Sequence, residues 1–228
     1  MVICIVGDID LEKGFHLVKK YFGDLQRRSF SPPSVPEEPP LLEKREVRIP
    51  MEKRQVHMII GFPCTTIFNP DRYPMEVLNT ILSAQGGRLF VELRDRESLA
   101  YSLDSFFVAG LDTGYFGIYL ATSPEKVKRA EDGIKRELRR IISDAPTDEE
   151  VEIAKGNIVG NFEIGLQGLS SQAMTMALHE LYGLGFNEIK RYPEKILSVR
   201  RGDVLNVARK YIDIHRSVVV MVGPVYGD

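Results

Sequence analysis

Two cysteines, Cys4 and Cys64, and four histidines, His16, His57, His179 and His215, are all the thiols and imidazoles that the 228 residues contain. So few cysteines exclude a disulfide framework and a thiolate zinc cage. No histidine has another three to five positions away, so no helical two-histidine metal pair can form locally. A dominant charge is missing as well. Thirty Lys and Arg face 32 Asp and Glu, a formal net charge of −2, and without a basic excess no nucleic-acid binding is expected. No apolar run approaches the roughly 18–20 residues of a membrane span. The opening Met1-Val-Ile-Cys-Ile-Val6 is too short for a signal peptide and lacks a basic start and a cleavage site. The G-x-S-x-G nucleophile elbow and the P-loop are absent too. What is present is ordinary globular composition, 43% hydrophobic and 27% charged. The length suits one large domain, or one domain plus a fragment of another, and needs no metal or disulfide staple to fold.

Residues 2–6 read as a strand, followed by a turn at Gly7-Asp8 and a helix with Asp10 as N-cap. Leu11, Phe15, Val18 and Phe22 recur at helical spacing, and Gly23 ends the helix. Residues 29–40 then carry five prolines in twelve positions, a semi-rigid extended linker. A lone strand–helix unit cannot bury both its faces. Residues 1–26 are therefore expected to close a preceding domain, with 27–41 the linker and 42–228 the main domain.

In that domain residues 42–49 and 55–62 read as strands, consistent with an antiparallel pair. Helices are expected over 70–82 and 88–94, strands over 99–108 and 114–121, and a helix over 124–142 with Ser123 as its cap. Thr147 and Glu150 form a capping box for another long helix. Further helices fit 172–184, 188–197 and 203–211, and a strand fits 217–222. Strands early and helices late predict an α+β fold, a two-layer domain with a mainly antiparallel sheet covered by helices.

Local chemistry is sparse. His179-Glu180 begins like H-E-x-x-H, but Gly183 stands where the second histidine belongs, and a helix-packing or surface histidine is the plainer reading. The inverted motif H-x-x-E-H is missing. Cys64, beside Pro63 with no histidine near it in sequence, reads as a buried structural thiol. Gly86-Gly87 before Arg88 has the outline of a phosphate cradle at a helix start, which a loop needing positive φ explains equally well. Lys126-Val-Lys-Arg129, with Lys135-Arg136 and Arg139-Arg140, alternates with Glu125, Glu131, Asp132 and Glu137 as a solvated helix face. Phe106, Phe107, Tyr115, Phe116 and Tyr119 fill the faces of two strands, with a peptide-binding wall as the other use for some of them.

Arg94, at the end of the short helix, and Tyr101, at the start of the next strand, admit two readings. A helix-end charge with a surface ion pair, and an amphipathic strand aromatic, is one. The other is a pair of donors to one carbonyl oxygen, as stabilising an oxyanion requires.

Gly87-Arg-Leu-Phe-Val-Glu-Leu-Arg-Asp95 and Leu99-Ala-Tyr-Ser102 resemble the non-zinc domain of the pitrilysin/insulinase family of zinc metallopeptidases, the inverzincins, related to mitochondrial processing peptidase. Ile5-Val-Gly-Asp8 with Tyr21-Phe-Gly-Asp-Leu25 looks like the closing strand and helix of the preceding family domain, and Val218-Val-Val-Met-Val-Gly-Pro224 like the final strand. The short turn Ala84-Gln-Gly-Gly87 is most similar to the last domain of long single-chain bacterial members. The resemblance implies similar α/β domains around a closed chamber, with zinc held by H-x-x-E-H in an N-terminal half, in the same chain or a partner subunit. It implies that Arg94 and Tyr101, seven positions apart, reach the substrate: Arg94 binds its carbonyl, and Tyr101 binds it and donates to the transition state. No cofactor is expected in this chain, which alone would not hydrolyse. The implied whole is a zinc metalloendopeptidase acting on unfolded peptide. Two rivals remain: a non-catalytic structural or assembly subunit, like the core proteins of respiratory complexes, and a stand-alone peptide-binding module.

Overall fold

A computed structural model describes residues 1–26, 29–31, 33, 35–36, 38–83 and 86–224. Arg27, Arg28, Pro32, Ser34 and Glu37 of the expected linker, and Ala84 and Gln85 of the expected glycine turn, lie outside the described residues. The chain divides into two compact units, residues 38–159 with 194–228, and residues 1–37 with 160–193.

The larger unit is built on a five-stranded sheet. In chain order the strands are β1 (Arg45–Pro50), β2 (Val56–Cys64), β3 (Ser102–Ala109), β4 (Gly114–Thr122) and β5 (Val218–Gly223), and in space they run β1-β5-β2-β4-β3. Every pairing is antiparallel except β1 with β5. The expected α+β layout is present. The expected β1–β2 pair is not, because β5 lies between them, with Val220 opposite both Val47 and Ile59. The reason lies in the side chains. Val218-Val-Val-Met-Val222 suits a central strand flanked on both sides, whereas Arg45, Glu46 and Arg48 suit a solvated edge.

Alternation along β2 sends Val56, Met58, Ile60 and Phe62 into the core. They lie opposite Thr122, Leu120, Ile118 and Phe116 of β4, all buried. Helices α2 (Arg72–Ser83), α3 (Val127–Ser143) and α7 (Arg201–Tyr211) bring Leu78, Leu82, Ile134, Leu138, Val204 and Ala208 to this core. The first turn expected of α3 is a separate 3-10 turn, Pro124–Lys126. On the opposite face of the sheet Ile59 and Tyr115 are exposed, while Ala121 is buried.

In the smaller unit α1 (Leu11–Phe22) starts at Asp10, whose Oδ1 accepts from the Lys13 N–H at 2.7 Å, and ends at Gly23. None of its residues is buried, and Leu11 and Phe15 are 88% and 70% exposed. Residues 2–6 form no strand, since a strand needs a neighbour to complete its ladder and among the described residues of this unit there is no strand to pair with. Helix α5 (Leu169–Leu181) belongs to this unit, while α4 (Asp148–Gly165) and α6 (Glu188–Leu197) each contribute residues to both units. The Thr147–Glu150 capping box at the start of α4 is formed in both directions. Among the described residues no helix is long and apolar enough to cross a membrane.

Candidate functional site

Gly86, with φ of +89°, makes the turn that leads into Arg88, and the chain then winds as a π-helix from Phe90 to Arg96. The wide helix ends in a sharp reversal. The Glu97 N–H reaches back to the Glu92 carbonyl at 3.1 Å, and the Leu99 N–H to the Leu93 carbonyl at 2.7 Å. Ser98 sits in this reversal at φ +51°, the one non-glycine residue among those described with positive φ. Backbone held in the left-handed region persists only where its surroundings demand it, and such residues cluster at functional sites. Two buried leucines fix the segment from below: Leu93 packs against Gly133 of α3, and Leu99 is 1% exposed. The Tyr101 N–H then bonds to the Ala121 carbonyl of β4 at 2.9 Å, and β3 begins one residue later.

This reversal brings Arg94 and Tyr101 to one cleft of about 280 Å³, lined also by Ser98, Leu99, Ala100 and Lys126. Neither side chain is spent on the fold. The Arg94 guanidinium lies 4.7 Å from the centroid of the Phe90 ring, a cation–π stack that leaves its N–H edges open. It has no carboxylate partner among the described residues, so the surface ion pair of the plainer reading does not form. Its neighbours differ: Arg96 pairs with Glu92 at 2.6 Å, Arg136 with Glu97, and Arg88 with Glu150 at 2.6 Å. Tyr101 is 60% exposed. Such an arrangement can donate several hydrogen bonds to an oxygen brought from outside.

Lys126 is the residue that sequence reasoning assigned elsewhere. Its run reads as a solvated helix face, yet Lys126 closes the 3-10 turn, and its Nζ donates to the Ser98 carbonyl at 3.0 Å. No local pattern signals this, because the contact spans 28 residues.

Other candidates resolve as structure. Phe116 is core, and the Tyr119 hydroxyl is 2.7 Å from His57 Nδ1. Phe106 and Tyr115 meet edge to face at 6.1 Å, Tyr115 half exposed on the face opposite the core. Burial pushes the Cys64 thiol up to about 12, which suppresses the nucleophilic thiolate. Among the described residues no three His, Cys, Asp or Glu side chains form a group that could hold a metal ion.

Residues 1–158 match the family described as the peptidase M16 inactive domain. The chain belongs to that family. The kinship with the non-zinc domain of pitrilysin/insulinase peptidases, read from the stretch around Arg94, is borne out. An uncharacterized zinc protease of Streptomyces coelicolor is 28% identical to this M16 domain over 98% of the chain, which covers 50% of that protein. The chain thus spans about half the length of the curated relatives it matches. Among solved structures, a peptidase M16 inactive domain from Pseudomonas fluorescens has the same fold, with a TM-score of 0.85 and 19% identity over 97% of this chain and 53% of that one. A chain of complex III2 from Candida albicans also shares it, with a TM-score of 0.79 and 17% identity over 95% and 53%.

Proposed function

We propose that this M16 domain is the zinc-free half of a zinc metalloendopeptidase, binding extended, unfolded peptide and presenting Arg94 and Tyr101 to the reacting carbonyl. The observation that carries the reading is the unpaired Arg94 guanidinium beside the exposed Tyr101 phenol on one cleft, held by a strained reversal at Ser98. A fork of N–H donors fixes a carbonyl in orientation. A phenol beside it is worth most where negative charge develops on that oxygen. In this reading the metal belongs to an N-terminal half, in the same polypeptide or a partner subunit. Residues 1–26 close the preceding domain, and 42–228 form the substrate-binding domain. Two facts support this: the exposed apolar side of α1, and relatives named zinc proteases that are twice as long as the matched region.

The second reading, a non-catalytic assembly subunit, is favoured by the shared fold of the complex III2 chain. That likeness is one of fold alone, and the open donors of Arg94 favour the first reading.

Mixing tests it. The domain alone leaves an unstructured fluorogenic peptide intact, and combining it with the zinc-bearing half produces cleavage. Arg94→Ala in the combined protein raises KM and lowers kcat/KM by about 10–100-fold. An Arg94→Ala assembly that cleaves as well as wild type contradicts the proposal, and a wild-type assembly with no peptidase activity supports the assembly role.

A further inference from the structure

We infer that Lys126 is a specificity-determining residue of the Arg94–Tyr101 cleft, selecting peptides that bring a carboxylate beside the carbonyl being held. This rests on the peptide-binding reading above and names the substrate class for that site. Among the described residues the cleft is lined by two cations, Arg94 and Lys126, and by no acid. The acidic residues nearest in sequence are Asp95, Glu97 and Glu125; none lines the cleft, and Glu97 is taken up by Arg136.

The donors are also unspent. An ammonium group carries three N–H donors, and Lys126 commits one to the Ser98 carbonyl. The others remain for a ligand. Ser98 directs that carbonyl by adopting φ +51°, so the strained residue and the lysine it anchors work as one device. Arg94, held on Phe90, keeps its fork open. A neutral carbonyl can use only part of such an array. An oxygen pair with a full negative charge satisfies more of it and also neutralises two cations whose one acidic neighbour in charge, the fully exposed Glu125 beside Lys126, does not line the cleft.

A carboxylate reaches the cleft from two sources, an acidic side chain next to the held residue or the free C-terminus of a short peptide. Two peptide pairs separate them, one differing only by Glu against Gln at that neighbouring position, the other by a terminal acid against a terminal amide. Each is measured with the assembled protein, this domain together with its zinc-bearing half, by kcat/KM and by fluorescence anisotropy of the labelled peptide. The charged member of at least one pair is preferred about 5–30-fold at low salt, and the preference shrinks at about 0.5 M salt. Lys126→Gln, which keeps a donor for the Ser98 carbonyl but no charge, cuts that preference at least threefold. Lys126→Arg retains it. Which pair responds identifies the source. A wild type indifferent to both pairs, or a Lys126→Gln variant with the preference intact, overturns the inference. Should Tyr101→Phe leave cleavage of the amidated Gln peptide unchanged, the underlying peptidase reading falls as well. Should it slow that peptide while charge makes no difference, only the role of Lys126 falls.

Discussion

Arg88 and Glu150, 62 residues apart in the chain, are joined by two parallel hydrogen bonds, Nε to Oε1 at 2.6 Å and Nη2 to Oε2 at 2.8 Å. The same carboxylate accepts the Thr147 N–H at 2.7 Å. One side chain thus caps α4 and fixes the start of the segment that bears Arg94. Hydrogen bonding from Arg88 is the largest influence that holds Glu150 down to about 2. Because this lies below the 4.5 of a free glutamate, the pair contributes stability above about pH 4.5 and loses it as pH falls toward 2. Glu150→Gln should therefore lower the unfolding free energy at pH 7 by about 1–2 kcal/mol, a figure reduced by solvent screening of the partly exposed carboxylate. The gap between variant and wild type should close by about pH 2–3. Urea unfolding at pH 7, 5 and 3 measures this, and a gap that stays constant would count against the coupling.

Glu137 of α3 has the opposite sign. It is 2% exposed, and the nearest cations, Arg140 and Arg136, stand at 3.7 and 3.8 Å, too far for hydrogen bonds. Burial pushes its carboxyl above the free value. A raised carboxyl binds its proton more tightly folded than unfolded, so stability falls as pH rises from about 4.5 through the folded value. Glu137→Gln is expected to stabilise the protein at pH 8 by about 1 kcal/mol. Calorimetry showing a lower melting temperature for the variant would refute that assignment.

Gly133 lets the π-helix settle on α3. A methyl group there would overlap Leu93 Cδ2, and Leu93 is fully buried. Gly133→Ala should cost about 1–3 kcal/mol through overpacking and shift the Arg94 segment. Adding Leu93→Ala should recover part of the lost kcat/KM, because space returns under the π-helix. Full activity in the single variant would show that the contact does not position Arg94.

Much of the fold was legible from pattern. The strand expected over 55–62 and the Thr147–Glu150 box stand where residue chemistry puts them, whereas the proline expected to open α3 opens a separate 3-10 turn instead. Strand neighbours were less legible. Residues 45–50 and 56–64 follow each other in sequence, but the partner of both arrives more than 150 residues later. The π-helix was invisible because one extra residue per turn over seven positions leaves the apolar spacing of Leu89, Phe90 and Leu93 unchanged. For the site, Arg94 and Tyr101 stood out through their motif. Lys126 did not, since its charge looks like that of any other basic residue on the surface until the fold brings it to Ser98.

Tyr101→Phe in the assembled protein tests the central claim most directly. The substitution removes one hydroxyl from an exposed side chain, so folding should be untouched. Loss of a phenol donor to the developing oxyanion predicts a fall in kcat of about 10–1,000-fold against an unstructured fluorogenic peptide. An active protein whose kcat does not change on losing that hydroxyl would contradict the account and leave this face of the domain as wall.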